Sequence, residues 1–570
     1  MSVTPASSIR IECAHHTAIA AKTIEILSYQ FEQRCGTSVV ATGVADLAVQ
    51  LCLKPGIGTN GYEIAGGGDG EIVIYGNDEP GLLYGVGRLL RDSLYSSNGF
   101  VAGPWRGVSV PVMPVRGIYF ATHFHNFYHD APIEKVQRYV EELALWGVNS
   151  IMLWFDMHHF NGLHDPAAQL MIQRLRQILQ TAKSVGMGRG LGVIANEGYA
   201  NSPVEMRAVG VGRGGFYGVE ICPNQPGAKG LIVNQFREMF DEFSDIGITD
   251  LWIWPYDQGS CDCEQCRPWG ANGFLSIAKP VADQARSSFP GVKVYLSTWL
   301  MDEQEWKGLA DAFRTRPEWV DALIAQPDCY RFTNSSPGGL PVLGFPEISM
   351  DGMWPWGGFG ANPQPKALQI YWSGVKSISA GGYPYSEGIF EDINKIICAQ
   401  FYWNPEGSID EILKAYIAYE YSPDVTDELL TVIRTLEQNH HMRWWPGLFE
   451  SYQGWFPSKG LVAQADPGAE SAFKIVKRLD ASLPAHARTG WRWRIVYLRA
   501  LLDAELKANG GKPNAVCERA FQELMGIYHA QNGQIDVKPP VSETRGENVS
   551  SCLTGDRMGS GLPCDPYPQA

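Results

Sequence analysis

Three places in this chain set a carboxylate among aromatic residues: Tyr256-Asp257-Gln258, Phe345-Pro346-Glu347 and Tyr385-Ser386-Glu387. Two carboxyl groups placed across a bond can divide acid–base work. One protonates a leaving oxygen while the other serves as base or nucleophile. Cleavage of a glycosidic bond needs that division, so Asp257, Glu347 and Glu387 are the expected catalytic set, with Glu347 as base or nucleophile and Glu387 able to replace either partner. Two of them have a plainer alternative. Asp257 could cap a turn ahead of Gln258-Gly259, and Glu387 shares its loop with Glu391 and Asp392, of which Asp392 is expected to cap the next helix. Glu347 leads into Met353-Trp354-Pro355-Trp356, an aromatic loop that would solvate an isolated carboxylate poorly.

The chain holds 18 Trp and 24 Tyr. Most must fill the core, but a flat ring with a polar edge also suits a sugar, which is apolar on its faces and hydroxylated around its rim. Trp154, Tyr256, Trp299, Trp354 and Trp356 are expected to line such a site. Asn196, Glu197, His123 and His125 are expected to add hydrogen bonds to hydroxyls. The pair His123-Phe124-His125 also matches the first metal ligands of amidohydrolase barrels. Those enzymes need further histidines later in the barrel, and no His stands between His164 and His440.

Cys261, Cys263 and Cys266 form a C-x-C-x-x-C run, and Cys222 lies 39 residues before it. Four thiolates would make a closed structural zinc site; a disulfide or free thiols are the alternatives. No cofactor is expected in catalysis, because four thiolates leave a metal no open position. The Gly-rich run at 209–215 does not join a strand to a helix as a dinucleotide fingerprint must, and reads as a loop over the site.

These residues need a scaffold. Near-continuous apolar runs predict eight buried strands: Val115–Phe120, Ser150–Phe155, Gly190–Ala195, Asp250–Trp254, Lys293–Ser297, Val320–Ala325, Pro341–Phe345 and Ser377–Gly382. Helical periodicity marks Pro132–Trp146, Pro166–Val185, Lys229–Ile246 and Gly273–Phe289 between them. The alternation predicts an α/β fold, a (β/α)₈ TIM barrel over 114–408, whose chemistry belongs at the C-terminal ends of the strands. All the acids named above fall there. Residues 1–113 predict a small α/β domain, with strands at Ser8–Cys13, Ser38–Ala41, Ala48–Leu53, Gly61–Ala65 and Glu71–Tyr75, helices at Ala18–Arg34 and Leu82–Leu94, and a turn at Gly76–Gly81. Residues 409–540 predict a helical domain, with helices at Ser408–Tyr421, Thr426–His440, Ala469–Leu479, Thr489–Ala508 and Pro513–Ala530. Residues 541–570 read as an irregular tail.

Bulk composition agrees. At 570 residues the chain exceeds one core. A net charge of −15 denies it the cationic footprint of a nucleic-acid binder or of a protein held to anionic membranes. No stretch of about twenty apolar residues predicts a membrane span. The first residues show no basic start before an apolar run, so the sequence reads as cytoplasmic, or as secreted if a leader has been removed. A carbohydrate is the expected partner, and a homo-oligomer is compatible with this reading.

The segments Ile72-Val73-Ile74-Tyr75-Gly76-Asn77 and Gly81-Leu82-Leu83-Tyr84-Gly85-Val86 resemble the α/β domain that precedes the barrel in family 20 hexosaminidases and family 67 α-glucuronidases. The barrel start, Arg116-Gly117-Ile118-Tyr119-Phe120, is similar too. The order of α/β domain, barrel and helices looks most like the α-glucuronidases. The segment from Pro255-Tyr256-Asp257 through Cys266, and Tyr385-Ser386-Glu387-Gly388-Ile389, resemble barrel proteins near the family 163 endo-acting hexosaminidases. The resemblance implies a glycoside hydrolase, with exo action on a terminal hexosaminide or uronide favoured, and the proton-donor role on Asp257. Family 20 enzymes carry an adjacent Asp-Glu pair here; this chain has Asp257-Gln258, so acetamido-assisted catalysis in its usual form is not implied. A polysaccharide lyase, another non-hydrolytic sugar enzyme, and a barrel that binds carbohydrate without turnover are the alternative readings.

Overall fold

The computed structural model describes residues 5–40, 42–67, 70–122, 126–210, 219–256, 259–325, 336–349, 360–439, 468–510 and 514–529. A closed barrel of eight parallel strands forms its centre. The strands are Val115–Phe120, Ser150–Trp154, Gly188–Ile194, Asp250–Trp254, Lys293–Ser297, Ala322–Ala325, Val342–Gly344 and Ser379–Gly382. Each pairs with the next in chain order. The ring closes where the eighth meets the first, through Gly381↔Val115 and Gly382↔Arg116.

The strands stand where the apolar runs predict; three keep their expected bounds, the third starts two residues earlier at Gly188, and the others are shorter. The sixth begins at Ala322, and Asp321, just before it, accepts the backbone N–H of Val294 with its carboxylate (2.7 Å). The eighth breaks after Gly382. Pro384 has no N–H to give a ladder, and pairing with the first strand resumes at Tyr385–Ser386, through Tyr385↔Tyr119 and Ser386↔Phe120. Gly117 must be glycine, since a Cβ there would collide with the Tyr383 ring inside the barrel.

Helices Ile133–Leu145, Pro166–Ser184, Ala228–Asp241 and Gly273–Ser288 cover the barrel between its early strands. Ahead of it lies a six-stranded sheet in the order Ser38–Val40, Ser8–Cys13, Leu47–Leu53, Glu71–Gly76, Tyr62–Gly66, Gly107–Ser109. The helix expected at Leu82–Leu94 instead spans Glu79–Arg91. Asp78 accepts the Gly81 N–H at 2.9 Å and Pro80 sits in the first turn, which together start a helix early. Behind the barrel run Ile409–Glu420, Thr426–Gln438, Ala469–Asp480, Trp491–Ala508 and Ala515–Tyr528. Among the described residues no helix is long and apolar enough to cross a membrane.

Candidate active site

Alternation along the strands carries the barrel interior up to its mouth. Met152 and Trp154, Trp252 and Trp254, Leu343 and Phe345, and Tyr383 and Tyr385 all point into one apolar cluster inside the barrel. Two residues further along, on the same face, stand Asp156, Glu347 and Glu387. The rings beneath them form a floor. Trp254 lies 5.5 Å from Trp154, 5.4 Å from Phe345 and 5.4 Å from Trp299, centroid to centroid. Trp154 is buried within this floor, while Trp299 is half-buried at its rim.

Glu347 and Glu387 meet at Tyr385. The Glu347 backbone forms a parallel β-bridge with that of Tyr385 as the seventh and eighth strands end, and the Tyr385 hydroxyl donates to Glu387 Oε1 at 2.9 Å. Burial, then the charges of Glu387 and Glu347, push that hydroxyl well above the usual tyrosine range. It therefore stays a proton-bearing donor between two carboxylates. Ser349 ties the pair together: its N–H donates to Glu347 Oε1 (2.6 Å), and its Oγ accepts the N–H of Glu387 (3.1 Å).

The Glu387 backbone is held from below. Glu391 Oε1 accepts the N–H of Glu387 (2.8 Å), the N–H of Gly388 (2.8 Å) and the hydroxyl of Ser386 (2.7 Å). Tyr528, at the end of the last described helix, donates to the carbonyl of Glu387 at 2.6 Å. Asp392 does not cap the next helix as expected. It is that helix's first residue, and its carboxylate accepts from Arg492 Nε (2.8 Å), Tyr139 (2.8 Å) and Tyr416 (2.6 Å). Glu391 occupies the cap position but spends its carboxylate on the preceding loop. Of the three acids in this loop, Glu387 alone reaches the barrel interior.

A second group lies after strands two and three. His158 Nδ1 stands 2.7 Å from Glu197 Oε1, which also accepts the His158 N–H at 3.1 Å. His159 Nε2 lies 3.1 Å from Asp156 Oδ2. Burial first, and then the neighbouring Asp156, push Glu197 well above the usual carboxylate range. Asp156, His158 and His159 were not among the residues expected from sequence. The signal that could have found Asp156 is its inward register two residues past Trp154.

Asn196, expected to bind sugar, gives its amide to loops instead. Its Nδ2 donates to the carbonyls of Ile221 (3.0 Å) and Ser260 (3.0 Å), and its Oδ1 accepts the Ser260 N–H (3.2 Å). Both donors are thereby used inside the protein. Tyr256 is likewise turned away from the interior: it packs in the layer between barrel and outer helices, and its hydroxyl donates to Glu305.

The loops that Asn196 staples carry the four cysteines. The sulfurs of Cys222, Cys261, Cys263 and Cys266 all lie within 4.8 Å of one another. Cys222 Sγ is 3.8 Å from Cys263 Sγ and 3.9 Å from Cys266 Sγ, and all four are free thiols. A hydrogen bond from the Cys266 thiol lowers Cys261 to about 5, while the same contact raises Cys266. Burial lifts Cys222 to about 11. Zinc–sulfur bonds of ~2.3 Å in a tetrahedron place sulfurs ~3.8 Å apart, whereas a disulfide needs ~2.05 Å. The cluster has the spacing of the first.

Asp257, His123, His125, Trp354 and Trp356 lie outside the described residues, as do most of the Gly-rich run and the tail at 541–570. The strands and turn leading to Asp257 are described through Tyr256.

The fold has close counterparts among solved structures. A family GH115 4-O-methyl-alpha-glucuronidase with specificity for decorated arabinogalactans superposes with a TM-score of 0.60 at 11% identity, over 94% of this chain and 78% of its own. A GH138 enzyme targeting pectin rhamnogalacturonan II gives 0.57 at 10% identity, over 95% and 92%. The Flavobacterium johnsoniae chitobiase, a GH20 protein, gives 0.50 at 12% identity, over 96% and 93%. No family model matches the sequence, and no curated protein matches it. At such identities the likeness establishes the architecture: a (β/α)₈ barrel with an α/β unit before it and helices behind.

Proposed function

We propose that this protein is a glycoside hydrolase that cleaves a glycosidic bond with paired carboxylates. The observation that carries the reading is the placement of Glu347 and Glu387 together around Tyr385 and Ser349, above an aromatic floor, at the C-terminal mouth of the barrel. Two acids there can divide proton donation and base or nucleophile roles, and a floor of Trp and Phe rings suits a sugar face. Asp257, three residues past the end of the fourth strand at Trp254, takes the proton-donor role in this reading. The solved structures of like fold include an alpha-glucuronidase and a chitobiase. They support a uronide or a hexosaminide as the substrate class, and exo action on a terminal sugar is the form of the reaction proposed here. Trp154, Trp299, Trp354 and Trp356, with His123 and His125, supply the sugar contacts in this reading.

The same proposal takes the chain as three units, 1–113, 114–408 and 409–540. It places a structural zinc on Cys222, Cys261, Cys263 and Cys266, pinning the loop after strand three to the loop that follows Asp257.

The test is a hydrolysis screen against aryl glucuronides, aryl N-acetylhexosaminides and oligosaccharides. Release of one sugar, reduced ~10²–10⁴-fold in Glu347→Gln, Glu387→Gln and Asp257→Asn, supports the reading. An unsaturated product identifies a lyase, and binding without turnover identifies a carbohydrate-binding barrel; either overturns it.

A further inference from the structure

A second set of metal-ligating side chains stands at the barrel mouth, separate from the thiols. The strand Ser150–Trp154 ends in Phe155-Asp156, and a single helical turn, Met157–His159, follows it. One donor atom from each of Asp156, His158 and His159 lies within 4.8 Å of the others.

The carboxylate is the telling member. Asp156 is only 4% exposed, and both its oxygens are buried without accepting a hydrogen bond. A buried carboxylate that accepts nothing is costly. Yet its Oδ2 stands 3.1 Å from Nε2 of His159. That distance would also serve an ion pair with a protonated ring, but it suits two atoms sharing one ion, since donors ~2.0–2.2 Å from a metal stand roughly 3–3.5 Å apart.

The histidines are arranged to match. Glu197 Oε1 is 2.7 Å from His158 Nδ1. A carboxylate on one ring nitrogen fixes the tautomer and leaves the lone pair on the other, the usual support behind a metal-bound imidazole. The side chains of His158 and His159 are 7% and 5% exposed, so little water competes for them.

We propose that Asp156, His158 and His159 bind one divalent transition-metal ion, with Glu197 as the carboxylate behind His158. One carboxylate and two imidazoles suit zinc, iron, cobalt or nickel, not calcium or magnesium, which take all-oxygen cages. A divalent charge also balances the carboxylates of Asp156 and Glu197, which otherwise face each other in a buried place. Three protein ligands leave the ion open positions for water or for vicinal sugar hydroxyls. Binding does not depend on the glycosidase reading and can be measured without turnover.

The test uses full-length protein produced in cobalt-supplemented minimal medium. Elemental analysis counts bound cobalt, and the absorption spectrum sorts it, because thiolate-bound cobalt shows an intense sulfur-to-metal charge-transfer band and cobalt held by nitrogen and oxygen does not. The expected result is two cobalt ions per chain, one with the thiolate band. Asp156→Asn and His159→Gln should each fall to one ion and keep that band; two variants guard against a folding failure in either. Cys263→Ser should lose the band and keep the other ion. One ion without the band in the unaltered protein would retain this site and refute the zinc cluster. One ion with the band in the unaltered protein, or two ions persisting in both Asp156→Asn and His159→Gln, overturns the proposal.

Discussion

Replacing Glu391, which touches no substrate in this reading, should damage both the fold and the activity. Its side chain is fully buried. Its Oε1 accepts from two backbone N–H groups and the Ser386 hydroxyl, at 2.7–2.8 Å, and Lys395 Nζ lies 3.7 Å away. Glu391→Ala would orphan the Gly388 N–H, leave the Glu387 N–H with Ser349 Oγ alone, return the Ser386 hydroxyl to Tyr128 and the Gly388 carbonyl, and remove one of the two carboxylates near the lysine. The one orphaned donor costs ~1.5 kcal/mol and breaking one side of a buried ion pair typically costs ~3–5 kcal/mol, so the loss is expected at about 3–5 kcal/mol. Glu391→Gln keeps an oxygen acceptor and should lose about half as much. Because the freed N–H groups belong to Glu387 and Gly388, the Glu387 carboxylate should also drift, lowering kcat more than it raises KM. Urea unfolding followed by tryptophan fluorescence gives the stability, and steady-state kinetics on the substrate found by screening gives the rest. A Glu391→Ala protein within about 1 kcal/mol of the parent, with unchanged kcat, would refute the argument that this network holds the catalytic loop.

Arg492 binds Asp392 and Glu142 at 2.8 Å each and approaches Glu420 at 3.6 Å; Arg492→Met should cost about 3–5 kcal/mol at pH 7, read from urea midpoints. Burial opposes the charge on Asp392, but Arg492, Lys395 and Tyr416 outweigh it and hold the carboxyl below its usual range. Its contribution is therefore present above an unfolded value of ~3.9 and lost as pH falls through the folded one, so the Arg492→Met deficit should shrink between pH 5 and 3 in an unfolding series. Asn196→Leu orphans the Ile221 and Ser260 carbonyls and should cost roughly 1–3 kcal/mol while weakening retention of the zinc proposed for the thiol cluster, measured by competition with a chelating dye. Cys263→Ser should lower bound zinc and the thermal midpoint together, and an unchanged midpoint would mean that the thiol cluster is not a structural centre.

Much of this architecture was legible along the chain. Runs such as Ser150–Trp154 and Asp250–Trp254 are apolar on both faces, and only a sheet covered on both sides accommodates that. Eight of them with helices between dictate a closed barrel. Period-two spacing also places Glu347 two residues past Phe345 and Glu387 two past Tyr385, on the interior face. Facing along a strand is local, so the sequence determines it up to the strand end; beyond that the rule weakens, since Tyr256, two past Trp254, turns outward. The sequence could not rank neighbours that differ only in where their side chains are taken. Glu387, Glu391 and Asp392 look alike in one loop; which one reaches the mouth depends on Tyr385, on the loop amides and on Arg492, 100 residues away. Asn196 and Tyr256 were read as sugar contacts because they end strands. Partners at Ser260 and Glu305 turn them into supports. His158 and His159 carry no periodic signal, and only the approach of Glu197 and Asp156 gives them a role. Strand identity and facing follow from chain-local geometry. The assignment of each charge follows from long-range packing, because a buried carboxylate is defined by the donor that meets it.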